Sequence, residues 1–456
     1  MQKFIAKSSE LFDRFDPKYV AFKRRAANFR YSAVKLGSLL SESPEYGAGE
    51  AGIERVDEAT PRYIRITDID ENGELLPGLG MTAANVEPQY FLRDGDLLFA
   101  RSGNTVGKSY LHEFERVAYP CFYAGYMIRF RFGEKVLPKY VFAFAQTPYY
   151  HEWVLAIQRS AGQPNINAQE YRSLEIPLPP LSDQRKIVAE LDAAYAAKRV
   201  ADEKATKLLA SIDDMVLNEL GIAKLPKPDT SLSSRMFIVS AKEVANATLA
   251  PDHYFDAIDF SKARYSCERF VERIDIDPPC GLERITKLVP MEGVSAEWCA
   301  IENIEDISPD ATQGYSTFRG GDVIWARITP CMENGKSAVV EAEPSECFCG
   351  STEFLVFRPK DDKVNPHYLQ SLLHLKRFRE VAAHHFTGTS GHQRVTADFF
   401  KSISIPIPPR SVQDRIASTA SSIRAEARKL KADATAALDA AKRKIEKRIV
   451  DGGASA

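Results

Sequence analysis

Ile176-Pro177-Leu178-Pro179-Pro180-Leu181-Ser182-Asp183-Gln184 returns 229 residues later as Ile405-Pro406-Ile407-Pro408-Pro409-Arg410-Ser411-Val412-Gln413. The clustered prolines exclude helix and central strand, so the chain is extended at both places. Ser182 then offers an N-cap for a helix. Beyond it, Ile187, Leu191, Ala194, Ala201, Ala205, Leu208, Ile212 and Met215 recur in steps of four and three, with Lys198 filling one seam position. That is a heptad seam, ended by Gly221 and Leu225-Pro226-Lys227-Pro228. After Ser411 a second seam runs Ile416, Ala420, Ile423, Ala427, Leu430, Ala434, Ala437 and Ala441, each 229 residues after a position of the first.

The repetition extends upstream. Gly95-Asp96-Leu97-Leu98-Phe99-Ala100-Arg101 matches Gly321-Asp322-Val323-Ile324-Trp325-Ala326-Arg327 at an offset of 226. Gly107-Lys108-Ser109 matches Gly335-Lys336-Ser337 at 228, and Gly162 matches Gly391 at 229. A slowly drifting offset is what a duplicated domain with small loop indels produces. The expected fold class is α+β, with two similar mixed α/β domains at residues 1–180 and 222–409. Two long helices, at 181–221 and 410–456, are expected to pack antiparallel in a coiled-coil-like pair about a pseudo-two-fold. At about 1.5 Å per residue each helix would be about 60 Å long, the bar of a dumbbell. A two-fold chain calls for a two-fold partner, and duplex DNA is the obvious one.

Composition narrows the classes. With 456 residues the chain has room for two or three domains. A hydrophobic fraction of 44% with 27% charged residues excludes wholesale disorder. No apolar run is long enough to span a bilayer, and the first 20 residues lack a signal-peptide core, so a cytoplasmic protein without membrane contact is expected. The seven cysteines read as reduced, partly buried thiols. A net charge of −2 argues against a protein that coats nucleic acid alone, so partner subunits would supply part of any grip on DNA.

Within the first half, residues 61–69 alternate like a half-buried strand and run into the turn signal Asp70-Glu71-Asn72-Gly73. Asp96–Ala100 predicts a short buried strand, Tyr123–Phe132 another, and Pro138–Gln158 a helix.

Four motifs fall short of chemistry. Ser102–Ser109 has the composition of a phosphate-binding loop, but Gly103 comes one residue late and a strand follows where a helix is required. Asp68–Gly73 matches half of a calcium loop, yet Leu79 stands where a bidentate glutamate belongs. Asp277-Pro278-Pro279-Cys280 lacks the aromatic ring of an adenine methyltransferase motif. His384, His385 and His392 have no acidic or thiol partner at metal spacing.

Polar loops repeated in both halves are the better candidates. The first half carries Arg101, Ser102, Asn104 and Lys108, then Gln163, Asn165 and Asn167. The second carries Arg327, Thr329 and Lys336, then His392, Gln393 and Arg394. Arg, Asn and Gln can meet base edges with paired hydrogen bonds, whereas Lys serves phosphates. Lys108, Arg327 and Lys336 are accordingly read as phosphate anchors and the others as base or groove contacts. Polar glycine-rich loops are also ordinary turns, and Arg101 and Arg327 could equally be structural ion-pair partners.

The two G-D-[LV]-[LI]-x-A-R segments, the two I-P-[LI]-P-P-x-x-x-Q segments and the two seam helices together resemble the specificity subunit of type I restriction–modification systems. That resemblance covers essentially the whole chain. It implies two target-recognition domains, each reading half of a bipartite DNA site, on helices that fix the half-site spacing. It also implies docking of two methyltransferase subunits, and of restriction subunits where present. S-adenosylmethionine would then belong to the methyltransferases, ATP and Mg to the restriction subunits, and no cofactor or catalytic residue to this chain. A self-contained methyltransferase–specificity fusion would need an intact D/N-P-P-aromatic motif and a glycine-rich cofactor loop. A non-DNA scaffold would bind without regard to DNA sequence.

Overall fold

The computed structural model describes residues 17–25, 28–103, 105–158, 164–222, 260–280, 285–389 and 393–451. It divides into two compact units, residues 1–200 with 433–456 and residues 201–432. Each unit combines one repeat, the start of that repeat's long helix and the end of the other long helix.

In the first unit the strands Glu45–Tyr46, Met127–Phe130, Leu97–Ala100 and Ser109–Leu111 form an antiparallel sheet in that order. A second sheet orders Gly52–Glu54, Met81–Ala83, Arg62–Ile64 and Cys121–Tyr123, the last pair parallel. The second unit repeats the plan. Ile274–Ile276, Phe354–Pro359, Val323–Ala326 and Ser337–Val339 form the antiparallel sheet. Glu305–Asp306, Lys287–Val289, Cys347–Gly350 and Ser316–Arg319 form the other, again with one parallel pair. Leu97–Ala100 and Val323–Ala326 are buried throughout, as apolar runs at the centre of a sheet should be.

Both recurrent motifs now have a physical reason. Gly95 and Gly321 sit at φ +82° and +85°, where a side chain is disfavoured, and turn the chain into the central strand. The next residue, Asp96 or Asp322, is 1% exposed. The Arg131 guanidinium donates to both Asp96 carboxylate oxygens at 2.7 and 3.0 Å, and Arg358 does the same to Asp322 at 2.7 and 2.7 Å. The Arg93 and Arg319 backbone N–H groups complete the two carboxylates.

The proline segments pair as strands, Glu175–Pro177 with Ala33–Lys35 and Ser404–Pro406 with Cys267–Arg269. The long helices follow at Leu181–Glu219 and Arg410–Ile449. Ser182 and Ser411 do not cap them, because the helices begin one residue earlier. The Pro180 carbonyl already accepts from Asp183 and Gln184, and the Pro409 carbonyl from Val412 and Gln413.

The repeated glutamine is a clasp. Gln184, 0% exposed, donates from Nε2 to the Pro179 and Lys135 carbonyls and accepts at Oε1 from the Leu137 N–H, 2.8 Å away. Gln413, equally buried, makes the same three bonds to Pro408, Lys363 and Asn365. Gly221, at φ +69°, ends the first long helix. Its N–H donates to Asn218 and that of Ile222 to Leu217, the paired bonds of a Schellman motif.

The helix segments run antiparallel within each unit. In the first, Ile187, Leu191 and Tyr195 share a core with Leu438, Ile445 and Ile449, and Glu190 pairs with Lys444 and Arg448. In the second, Ile212 and Val216 meet Ile416 and Ala420, and Glu219 pairs with Arg415. Ile187, Leu191, Ala205, Ile212, Ile416, Ala420 and Ala427 are buried, while Ala194, Ala201, Leu208, Ile423 and Leu430 are partly so. Ala437 is exposed; the seam takes a step of four from Ala434 to Leu438, which is 1% exposed. Tyr195 and Val216 are further buried positions outside the expected heptad.

Other expectations require correction. Tyr123–Phe132 is not one strand, because the turn at Ala124–Tyr126 carries the chain from one sheet to the other. The helix over 138–158 is two, Pro138–Ala145 and Pro148–Ile157. Thr147 caps the second, accepting from the Tyr150 N–H, and Pro148 lacks the N–H that a continuous helix would need. Residues 61–69 form only the strand Arg62–Ile64 before a 3-10 turn. Cys280 and Cys347 are disulfide-bonded, not reduced, since the sheet brings their Cα atoms to 6.4 Å.

Gln184→Ala should destabilise the chain by about 2–4 kcal/mol in chemical denaturation, because it strands a buried N–H and two carbonyls. Gln413→Ala should behave alike. A second expectation concerns acid. Burial pulls the His112 imidazole down to about 4 and that of His374 to about 3, so both are neutral in the fold. Unfolded, each takes a proton near its ordinary value of 6.5. Their contribution is therefore intact above about pH 6.5 and declines as pH falls towards 4 and 3. The denaturation midpoint should drop over that window, and His112→Gln should flatten part of the drop.

Candidate nucleic-acid interface

The loop after each central strand is stitched to a segment more than 60 residues further along the chain. In the first unit Ser102 bridges Asn165, the Gly103 N–H donates to Pro164, and the Ile166 N–H donates to Arg101. In the second, Ile328 bridges Arg394, the Thr329 N–H donates to Gln393, and the Val395 N–H donates to Arg327. The structure thus brings Arg101 and Ser102 to Asn165, and Arg327 and Thr329 to Gln393 and Arg394. Asn104, Gln163 and His392 lie outside the described residues.

Inside this shared frame the side chains differ. The Arg101 guanidinium stacks on the Tyr46 ring, 4.8 Å from its centroid. Its N–H donates to the carbonyl of Tyr126, whose side chain is 66% exposed. The corresponding N–H of Arg327 donates to the Glu353 carbonyl. The Glu353 carboxylate grips Arg394 through Nε, at 3.0 and 2.8 Å, and Nη2, at 2.6 Å. Arg327 Nε lies 3.5 Å from the same carboxylate. The hydrogen bond from Arg394, helped by the charge of Arg327, holds the Glu353 carboxyl below its usual range. Thr329 donates its hydroxyl to Glu333.

Two kinds of candidate are committed to the fold instead. Lys108 turns inward and donates to the Ile69 carbonyl at 2.9 Å; Lys336 does the same to Met291 at 2.8 Å. Their recurrence reflects a shared loop brace. Asn167 caps the helix Ala168–Arg172, accepting from the Glu170 N–H while Glu170 returns the bond. Sequence reasoning could have found that cap in the Asn167-x-x-Glu170 spacing. It had no signal for Tyr46, Tyr126 or Glu353, which reach the site from other strands. Asp277 is likewise structural, its carboxylate accepting from the Val356 N–H at 2.9 Å.

Residues 80–208 and 294–438, together more than half of the chain, match the type I restriction modification DNA specificity domain. The chain belongs to that family. It is 33% identical over 135 residues to the type I restriction enzyme EcoAI specificity subunit of Escherichia coli, covering 29% of this chain and 23% of that protein. With the EcoKI specificity subunit of Escherichia coli strain K12 it shares 24% identity over 225 residues, 48% of this chain and 45% of that one. The matches therefore span less than half the length of these relatives. A chain from a solved structure of a type I R-M system aligns over 92% of this chain and 96% of its own, at 17% identity and a TM-score of 0.49. Among the described residues of this specificity-domain protein no helix is long and apolar enough to cross a membrane, and no three metal-ligating side chains converge.

Asn167→Ala should cost about 1 kcal/mol of stability, the worth of a helix N-cap. It should leave any DNA sequence preference unchanged, which competition binding with scrambled duplexes would establish. Asn165→Ala, in the same segment but uncommitted to a cap, should alter that preference at little cost in stability.

Proposed function

We propose that this chain is the DNA-reading subunit of a type I modification complex, with one reader in residues 1–180 and the other in 222–409. The long helices, in the segments 181–221 and 410–456, set the distance and rotational phase between the readers. Their exposed faces dock two methyltransferase subunits, and restriction subunits where these exist. This chain itself performs no catalytic step and binds no cofactor.

The observation that carries this reading is the doubled frame with divergent contents. Both units present a loop after the central strand, stitched to a distant polar segment. The framing residues recur, whereas the side chains within the frame do not: Ser102 stands against Ile328, Tyr126 against Glu353, and Asn165 against Arg394. Two readers of different half-sites require this combination, because phosphates and scaffold are common to all DNA whereas base edges are not. The family membership supports the same reading.

Co-expression with the methyltransferase subunits, followed by mapping of methylated adenines across the host genome, should return one bipartite motif with a fixed gap. Replacing residues 1–175 with those of a relative should change only one half of that motif. A contiguous motif would discard the two-reader arrangement. A well-formed complex with no motif would discard DNA reading altogether.

A further inference from the structure

Because the two units are copies, each serves as a control for the other. The turn before the strand Met127–Phe130 and the turn before Phe354–Pro359 are built alike: the Met127 N–H donates to Ala124 and the Phe354 N–H to Ser351. In each, the last residue of the turn receives the N–H of the conserved arginine, Tyr126 from Arg101 and Glu353 from Arg327. At these equivalent positions one unit has an exposed aromatic ring and the other a carboxylate. The bridge partner across the frame changes with it, Asn165 in one unit and Arg394 in the other.

Arginine is a long side chain with considerable rotamer freedom, and reading a base edge requires its plane to be fixed. Glu353 fixes that of Arg394 by gripping the Nε–Nη2 edge with both carboxylate oxygens. What such a grip leaves for a ligand is the Nη1–Nη2 end. That end matches the paired acceptors O6 and N7 that guanine alone shows together in the major groove. The Arg394 side chain remains 35% exposed, so the braced guanidinium is not sealed within the protein. In the first unit no carboxylate occupies the equivalent place, and Asn165, whose amide suits adenine, replaces the arginine.

We infer that Glu353 is the positioning residue that makes Arg394 the reader of a guanine in the half-site of the second unit, an inference that rests on the DNA-reading proposal above. Tyr126 and Asn165 give the first unit a different preference from the same backbone frame.

The test is the methylation motif of the assembled complex carrying Glu353→Gln, which keeps shape and removes the charge. One guanine position in one half of the motif should become degenerate, with discrimination against other bases reduced about tenfold or more. The other half should remain as in the unmodified complex, which separates a reading defect from general damage. Arg394→Lys, which cannot be gripped along a planar edge, should relax the same position. It also provides the measurement if the Glu353 variant fails to assemble. An unchanged motif in both variants, or degeneracy spread over both halves, would overturn the inference while leaving the two-reader proposal standing. Failure of that proposal would show separately, as a contiguous or absent motif in the unmodified complex.

Discussion

A buried primary amide fixes where each long helix points. Gln184 and Gln413 lie one turn into their helices, and each spends its side chain on the two carbonyls and one N–H that join helix, proline segment and preceding loop. All the bonds cross to backbone, so they constrain the path of the chain and not merely a side chain. The prolines before them remove two soft torsions, and pairing of Glu175–Pro177 and Ser404–Pro406 with a strand pins the other end. A helix of about 40 residues amplifies any angular error at its origin into several ångströms at its tip. Stiffness at the origin is therefore what a long spacer most needs, and both copies supply it by the same device.

Beyond the clasp, what the copies share is support. Asp96 with Arg131 and Asp322 with Arg358 are buried, bidentate pairs whose carboxylates are further satisfied by backbone N–H groups. Breaking one would leave an uncompensated charge inside the sheet, which is far costlier than the pair is favourable. Tyr140 donates to the Pro177 carbonyl and Tyr368 to Pro406, tying a short helix to the proline segment in each unit. Lys108 and Lys336 brace equivalent carbonyls. These contacts hold the backbone frame constant while other positions are free to change.

The duplication, the two seams and the central strands were legible in the sequence because they rest on periodicity and on repeated short motifs. The chemistry of the motifs was less so. Gln184 reads as one more polar residue in a helix until the loop at Lys135–Leu137 is seen against it. Thr147-Pro148 does carry a local signal for a new helix, a cap followed by proline, but the density of aromatic residues on either side overrides it in a reading by composition. Tyr123–Phe132 alternates convincingly, and only pairing to two different sheets divides it. Cys280 and Cys347 are 67 residues apart, a meeting that no spacing rule announces. Ala437 loses its place in the seam because the heptad steps of four and three are local averages, and Leu438 offers more apolar surface to the same core.

The lysines expose a general hazard in reading duplicated proteins. Repetition draws attention to what is invariant between copies, and a basic residue repeated in a loop suggests a common ligand such as phosphate. Yet two domains that bind different sequences are under a common requirement only for folding, for helix attachment and for backbone contacts to DNA. Their discriminating residues must differ. Agreement between copies therefore points first to scaffold, as it does for Lys108 and Lys336, and disagreement within an invariant frame points to function. Tyr126 against Glu353 is such a disagreement. Neither residue belongs to a repeated motif, and each becomes visible only when the strands that carry it are superimposed through their hydrogen bonds.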